Sequence, residues 1–471
     1  MGRLGWAGYS SHHPLWYPLW RQLSYPPTYS SHDRPEGPPS PGPSPHPSYP
    51  EPHQIGQKTS LARLHVRCFT QRGLDPLDVI PGDTPWCRFT SRAFAVRREG
   101  AALQTPARRF RQYNLELNRE SATKEAHRIW ILKPQFGFNQ VGIHMYSYNE
   151  ADMATEEATS DWLLKHVPDG TWVLQEYVMN PMTYQGNKFD LRVWAMVTSL
   201  DPLRIYLLGT GIPKVSQWRY SKAPEFVKQQ CIHVLLPGTT ECFSSSAKQV
   251  NIIQPYPHTT NGKFWYHSMS PTGRDFWVKR AWRSLEWQLV ELLLLARDPI
   301  LHIDHQLKRK GASYKRVAFL QPDVVFDTSG QARLVEVNTN GYMIGNLHKD
   351  FFALHDEQRA IMKLMGGSGY PRRSKYRGEL ERRTRAFCKE HGCAQSFERE
   401  LQEMVHEDMH ASMGWYRIFP TGDDMTHTKA IKNDPVQSKS LTPLDWLMFA
   451  WIDAGWSPNH RHDRNGSIVL V

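Results

Sequence analysis

The chain has 471 residues, with 57 Lys and Arg against 46 Asp and Glu, a formal charge of +11, and 40 % of its residues are hydrophobic. That length allows two or three domains, or one large core with appendages, and the apolar share excludes a wholly disordered protein. The longest apolar patch, Leu292 to Ala296, is far too short to span a bilayer, so no membrane partner is expected.

Residues 1–57 hold 13 of the 34 prolines, with Ser, Tyr and His between them. Proline removes backbone donors, so this stretch is read as a disordered tail without a core. No apolar segment follows Met1, so no signal peptide is read there. Residues 58–125 mix short apolar runs with many arginines and are assigned at most a small N-terminal domain. From there the pattern sharpens into a core over 126–365. Arg128–Leu132 reads as a buried strand, followed by a Gly-bearing loop from Lys133 to Gly142. Asn149 is read as the cap of a helix reaching His166. Strands follow at Thr171–Val178, Lys188–Thr198 and Leu203–Gly211, the last two paired. The stretch 212–280 is aromatic and irregular. Trp282–Arg297 is helical, with Leu285, Leu289, Leu292 and Leu293 at core spacing. Arg316–Phe326 and Arg333–Asn338 form a hairpin around Asp327–Gly330. Residues 366–471 are read as a mostly helical extension, with helix over 345–412 broken near Gly366–Pro371. The expected class is α+β. The cysteines at 68, 87, 231, 242, 388 and 393 are too scattered for a disulfide scaffold and are read as thiols of a reducing compartment.

Three stretches carry chemistry. Along Lys188–Val197 the side chains alternate, so Phe189, Leu191, Val193, Ala195 and Val197 make one apolar face while Lys188, Asp190 and Arg192 share the other. A row of charges on a well-formed strand is costly to bury unless paired or bound to a ligand. In the second, Leu334, Glu336 and Asn338 are placed on one face, and a loop at 328–331 sets Asp323 opposite Glu336. Facing acids repel unless a cation lies between them, and oxygen donors of this kind suit Mg²⁺. The third is the Lys133–Gly142 loop, where a lysine at a strand end and close-approaching backbone suit phosphate.

Trp130-Ile-Leu-Lys133-Pro, Gln175-Glu-Tyr177, Lys188-Phe-Asp-Leu-Arg192-Val-Trp and Glu336-Val-Asn338, in that order, resemble the tubulin–tyrosine ligase-like family of ATP-grasp enzymes. The resemblance covers about residues 127–350. It implies an ATP-grasp fold with antiparallel-rich sheets and flanking helices. It also implies a ligase joining a free amino acid to a carboxylate of tubulin through an acyl phosphate, with ATP and Mg²⁺. By the same resemblance Lys133, Gly142, Lys188 and Asp190 lie at the nucleotide. Gln175, Glu176, Tyr177 and Val178 line the adenine pocket. Lys188 and Arg192 are catalytic, and Asp323, Glu336 and Asn338 hold the metal. Gly209, where the family usually has arginine, and His233-Val-Leu-Leu236 depart from the family pattern. They feed a second reading, a catalytically impaired module that binds microtubules or another polyanion. The basic excess suits acidic tubulin tails, and no zinc-finger or RNP signature points to a specific nucleic acid. The expected location is cytoplasmic and cytoskeleton-associated.

Overall fold

The structure is a computed structural model that describes residues 58–75, 86–103, 107–120, 127–135, 142–216, 218–233, 271–309, 318–339, 375–410, 415–421, 426–454, 460–462 and 468–470. The Pro-rich tail, Val234–Leu236, Cys242 and the expected break at Gly366–Pro371 lie outside those residues.

Helix α1 (Lys58–Gln71) opens the described chain. Strands β1 (Ala93–Glu99) and β2 (Ala102–Leu103), helix α2 (Ala107–Glu120), and strands β3 (His127–Pro134) and β4 (His144–Asn149) follow. Helix α3 (Glu156–His166) and strand β5 (Gly170–Glu176) complete a first sheet of order β2-β1-β5-β3-β4. All its pairings are antiparallel. Phe110 of α2 and Trp162 and Leu163 of α3 pack on Trp130, Leu132, Tyr148 and Leu174 of this sheet. Helix α3 begins later than expected. Thr155 is its cap, accepting from the Ala158 N–H, while Asn149 and Asp152 exchange side-chain-to-backbone bonds in the preceding turn. Residues 58–120 supply β1 to this sheet and α1 to the core of the other one.

The second sheet contains β6 (Thr183–Tyr184), β7 (Asn187–Leu200), β8 (Leu203–Val215), β9 (Ala318–Phe326) and β10 (Ala332–Asn338). Its order is β10-β9-β7-β8-β11, with β11 at Trp415–Phe419 and β6 paired to β7. Against one face lies α4 (Arg283–Arg309), reached through a helical turn at Pro271–Phe276 and a π-helical one at Trp277–Trp282. The expected apolar face of β7, from Phe189 to Val197, is buried there with Leu285, Leu289, Leu292 and Leu293.

The C-terminal part gives α5 (Lys375–His391), α6 (Gln395–His410), α7 (Thr426–Asn433) and α8 (Pro443–Asp453). Helix α6 covers the distal half of the opposite face of the second sheet. Arg204 is fully buried against Glu400, Glu403 and Glu407, and the Thr198 hydroxyl donates to Glu407 at 2.9 Å. Trp194 and Met196 are also buried. The α+β class with antiparallel-rich sheets and flanking helices is the one expected. Among the described residues no helix is long and apolar enough to cross a membrane.

The reading of the cysteines as thiols is corrected at Cys68, Cys87 and Cys231. Cys68 on α1 and Cys87 form a disulfide, with Cα atoms 5.7 Å apart, and Cys231 is also disulfide-bonded. Cys388 and Cys393 are free, as expected. Spacing in sequence says nothing of Cα separation in the fold, and that separation decides whether two cysteines can bond.

Candidate active site

The charged residues meet where the two sheets face each other. Lys133, near the end of β3, is buried, and its Nζ donates to Gln175 Oε1 at 2.6 Å and to the Val335 carbonyl of β10 at 3.1 Å. Lys188 and Asp190 pair directly along β7, and the Lys188 ammonium lies 5.9 Å from the Tyr177 ring centre. Arg192 makes a two-pronged contact with Asp323 on β9, both bonds 2.8 Å. Lys214 on β8 donates to the same carboxylate at 2.7 Å. Burial alone would push the Asp323 carboxyl up, but Lys214 and Arg192 outweigh it and hold it below its ordinary value.

Asp323 and Glu336 are cross-strand partners, as the sequence predicts, but by another route. The turn is one residue longer on this ladder, pairing Phe326 with Ala332, and a bulge between Leu334 and Glu336 restores the expected partner. The bulge also corrects the face assignment. Leu334 and Val337 both point into the core, while Glu336 and Asn338 take the other side. The Val335 carbonyl, on the extra residue, is the one that receives Lys133.

Asp323 and Glu336 differ in access. The Asp323 side chain is 6 % exposed and clasped by two cations, whereas Glu336 is 31 % exposed, with Lys58 of α1 at 3.7 Å. Asn338 lies two residues on, its amide donating to the Gln321 carbonyl at 3.4 Å. Asp323, Glu336 and Asn338 offer oxygen donors alone, a set that fits Mg²⁺.

Two expected residues stand apart. The Glu176 carboxylate faces α2, accepting the Tyr113 hydroxyl at 2.8 Å. Gly142, at φ +76°, packs beside Pro134 and Trp172. The Tyr177 hydroxyl reaches His233 Nδ1 at 2.9 Å, and His233 Nε2 lies 3.1 Å from the Phe226 carbonyl. Since that carbonyl can only accept, Nε2 carries the proton and Nδ1 accepts from Tyr177. Burial, then Lys188, pushes His233 down to about 4, keeping it neutral.

Sequence reasoning passed over Lys214 and Lys58. The first lay in the stretch from 212 read as irregular, but β8 runs on to Val215 and sets Lys214 opposite Asp190. The second carried no signal, because its partner is 278 positions away by the difference of the two residue numbers.

A family model described as the tubulin-tyrosine ligase family matches residues 49–346, more than half of the chain. The tubulin monoglycylase TTLL3 of Mus musculus is 22 % identical over 302 residues, covering 61 % of this chain and 30 % of that protein. The tubulin polyglutamylase TTLL6 of Mus musculus is 26 % identical over 184 residues, covering 36 % of this chain and 20 % of the relative. The tubulin polyglutamylase ttll-4 of Caenorhabditis elegans is 25 % identical over 170 residues, covering 36 % and 27 %. The chain thus spans less than a third of the length of these relatives.

Proposed function

The chain belongs to the tubulin-tyrosine ligase family, and from that premise we propose that it is an ATP-dependent ligase joining an amino acid to a carboxylate of an acidic protein tail, that of tubulin first. The observation that carries this reading is the meeting of Lys133, Lys188, Arg192 and Lys214 with Asp190, Asp323 and Glu336 where the two sheets face each other. In the reaction the acceptor carboxylate attacks the γ-phosphorus of ATP, giving an acyl phosphate and ADP. The amine of the incoming amino acid then displaces phosphate and forms the amide.

Such chemistry asks the protein mainly to position reactants and neutralise charge. Lys133 and Lys188 face the ATP phosphates. Gln175, Tyr177 and Val178 border the purine, with the Tyr177 ring fixed by His233. Arg192 steadies the acceptor carboxylate or the charge developing on the phosphoryl group. Its guanidinium is preset by two bonds to Asp323, so little ordering remains when substrate arrives. Asp323, Glu336 and Asn338 would hold Mg²⁺, which when bound neutralises phosphate charge. The net charge of +11 favours encounter with acidic tubulin tails and a cytoskeleton-associated location.

The test is incubation with tubulin, ATP, Mg²⁺ and tyrosine, glutamate or glycine in turn, followed by intact-mass measurement of the tubulin. A mass increase equal to one or more residues of a single amino acid is the expected result. ATP binding without any adduct would favour the second reading, an impaired module binding microtubules. That alternative draws on Gly209 and on Asp323, whose two oxygens are both already bonded.

A further inference from the structure

Beneath Lys133 runs a chain of buried hydrogen bonds that begins outside the family motif stretches. Thr90, on the segment leading into β1, is 1 % exposed. Its hydroxyl donates to the Leu334 carbonyl at 2.8 Å and accepts the Gln175 side-chain N–H at 2.9 Å. Gln175 Oε1 then accepts Lys133 Nζ at 2.6 Å, and Lys133 closes the ring on the Val335 carbonyl at 3.1 Å. The Leu334 N–H donates to the Phe89 carbonyl at 2.6 Å, so the backbone on both sides of the contact is tied down.

Every direction in this ring is forced. An ammonium only donates, so Gln175 must present its oxygen to Lys133 and its NH₂ to Thr90. The Leu334 carbonyl only accepts, so the Thr90 proton goes there and its lone pair is left for Gln175. We propose that Thr90 is a positioning residue for nucleotide binding: its hydroxyl fixes the orientation of the Gln175 amide, which in turn aims the Lys133 ammonium at the ATP phosphates. The inference rests on the ligase reading above.

Valine at this position keeps the shape but leaves two buried polar groups unpaired. The Gln175 amide is then free to turn its NH₂ toward the ammonium, which repels it. Thr90→Val is expected to weaken ATP binding about tenfold, the scale of one lost hydrogen bond to a charged group. Adenosine, which meets Gln175 but carries no phosphate for Lys133, is expected to lose less affinity for Thr90→Val than ATP does. Thr90→Ser, which keeps the hydroxyl, restores ATP affinity.

The deciding experiment is a double-mutant cycle with Lys133→Met, read by calorimetric ATP titration with thermal melts to confirm folding. If Thr90 acts through Lys133, adding Thr90→Val to Lys133→Met costs nothing further. Thr90→Ala takes the place of valine should the valine variant not fold. Equal losses for ATP and adenosine, additive effects in the cycle, or a Thr90→Ser variant as weak as Thr90→Val would each overturn the proposal. Wild-type protein that binds no ATP would overturn the ligase reading and this inference with it. Wild type that binds ATP while Thr90→Val matches it overturns this inference alone.

Discussion

At the scale of single residues, the enclosed charges set how the protein answers to pH. Burial pushes the Lys133 ammonium down to about 8, with Glu336 drawing it up and Lys58 pressing it down. Its ordinary value is 10.5, so between about 8 and 10.5 the unfolded chain binds the extra proton. Lys133 therefore costs stability below about 8, and that cost is relieved as pH rises. Phosphate binding needs the charged form, so ATP affinity should fall as pH rises through about 8. Lys133→Arg, which does not titrate there, should flatten the profile in a calorimetric titration. Glu291 provides a second case. It accepts the Cys87 N–H at 2.7 Å, and burial raises its carboxyl from 4.5 to about 8. The folded state holds that proton while the unfolded state has released it, so stability falls as pH climbs from 4.5 to about 8. Glu291→Gln keeps the acceptor and removes the titration. Its melting temperature should match wild type in acid and exceed it increasingly up to about pH 8. A constant difference across that range would exclude Glu291 as the source.

At the scale of elements, one extra residue in β10 decides what faces the site. Because side chains alternate, the bulge at Val335 lets Leu334 and Val337 both face the core while Glu336 and Asn338 face outward. Deleting Val335 should leave a regular ladder with Glu336 and Asn338 still facing outward, yet remove the backbone carbonyl that receives Lys133, so ATP affinity should fall while its Mg²⁺ dependence is kept. Loss of the Mg²⁺ dependence in this variant would show that alternation does not set the face of Glu336. Glu336→Gln tests the carboxylate itself. It should keep the fold yet lose the Mg²⁺ dependence of ATP affinity, since a metal-holding carboxylate is gone. On the opposite half of the sheet, Arg204 is the hinge pin of α6. Replacing it with Met leaves Glu400, Glu403 and Glu407 without their buried counter-charge. A loss of about 3–5 kcal/mol in denaturant unfolding is the expected cost.

At the scale of the molecule, α1 ties the nucleotide side to the rest. The disulfide from Cys68 to Cys87 bonds α1 to the segment that carries Phe89 and Thr90 onto β10. Arg72, at the far end of this unit, pairs with Asp434 at 3.1 Å and stacks on Trp86 at 4.4 Å from the ring centre, joining the C-terminal part to the same place. Closing a loop of 19 residues restricts the unfolded chain by about 3 kcal/mol. A mild dithiol should therefore lower the melting temperature of wild type by more than that of Cys68→Ser/Cys87→Ser, which still holds the Cys231 bond. The same connections say where the tail can be cut. A chain beginning at residue 49, where the family match starts, should bind ATP as the full chain does, whereas removal through Lys58 should weaken it by taking away the partner of Glu336.

Wherever a local pattern was enough, the sequence alone determined the outcome. The apolar alternation of β7, the leucine spacing of α4 and the turn at Asp327–Gly330 depend on near neighbours, and period 2 or 3.6 reports them directly. The row Lys188, Asp190 and Arg192 was legible for the same reason, whereas the facing of Asp323 and Glu336, expected from a shorter turn, is reached only through the bulge. Tertiary structure alone decided what depends on register and distance. The bulge that reassigns Leu334, the disulfide between Cys68 and Cys87, the turning of Glu176 toward Tyr113, and the arrival of Lys58, Lys214 and Thr90 at the site are of that kind. None of these has a period. Each is fixed by which surfaces pack once both sheets exist, and packing brings together residues whose separation along the chain carries no trace of the contact.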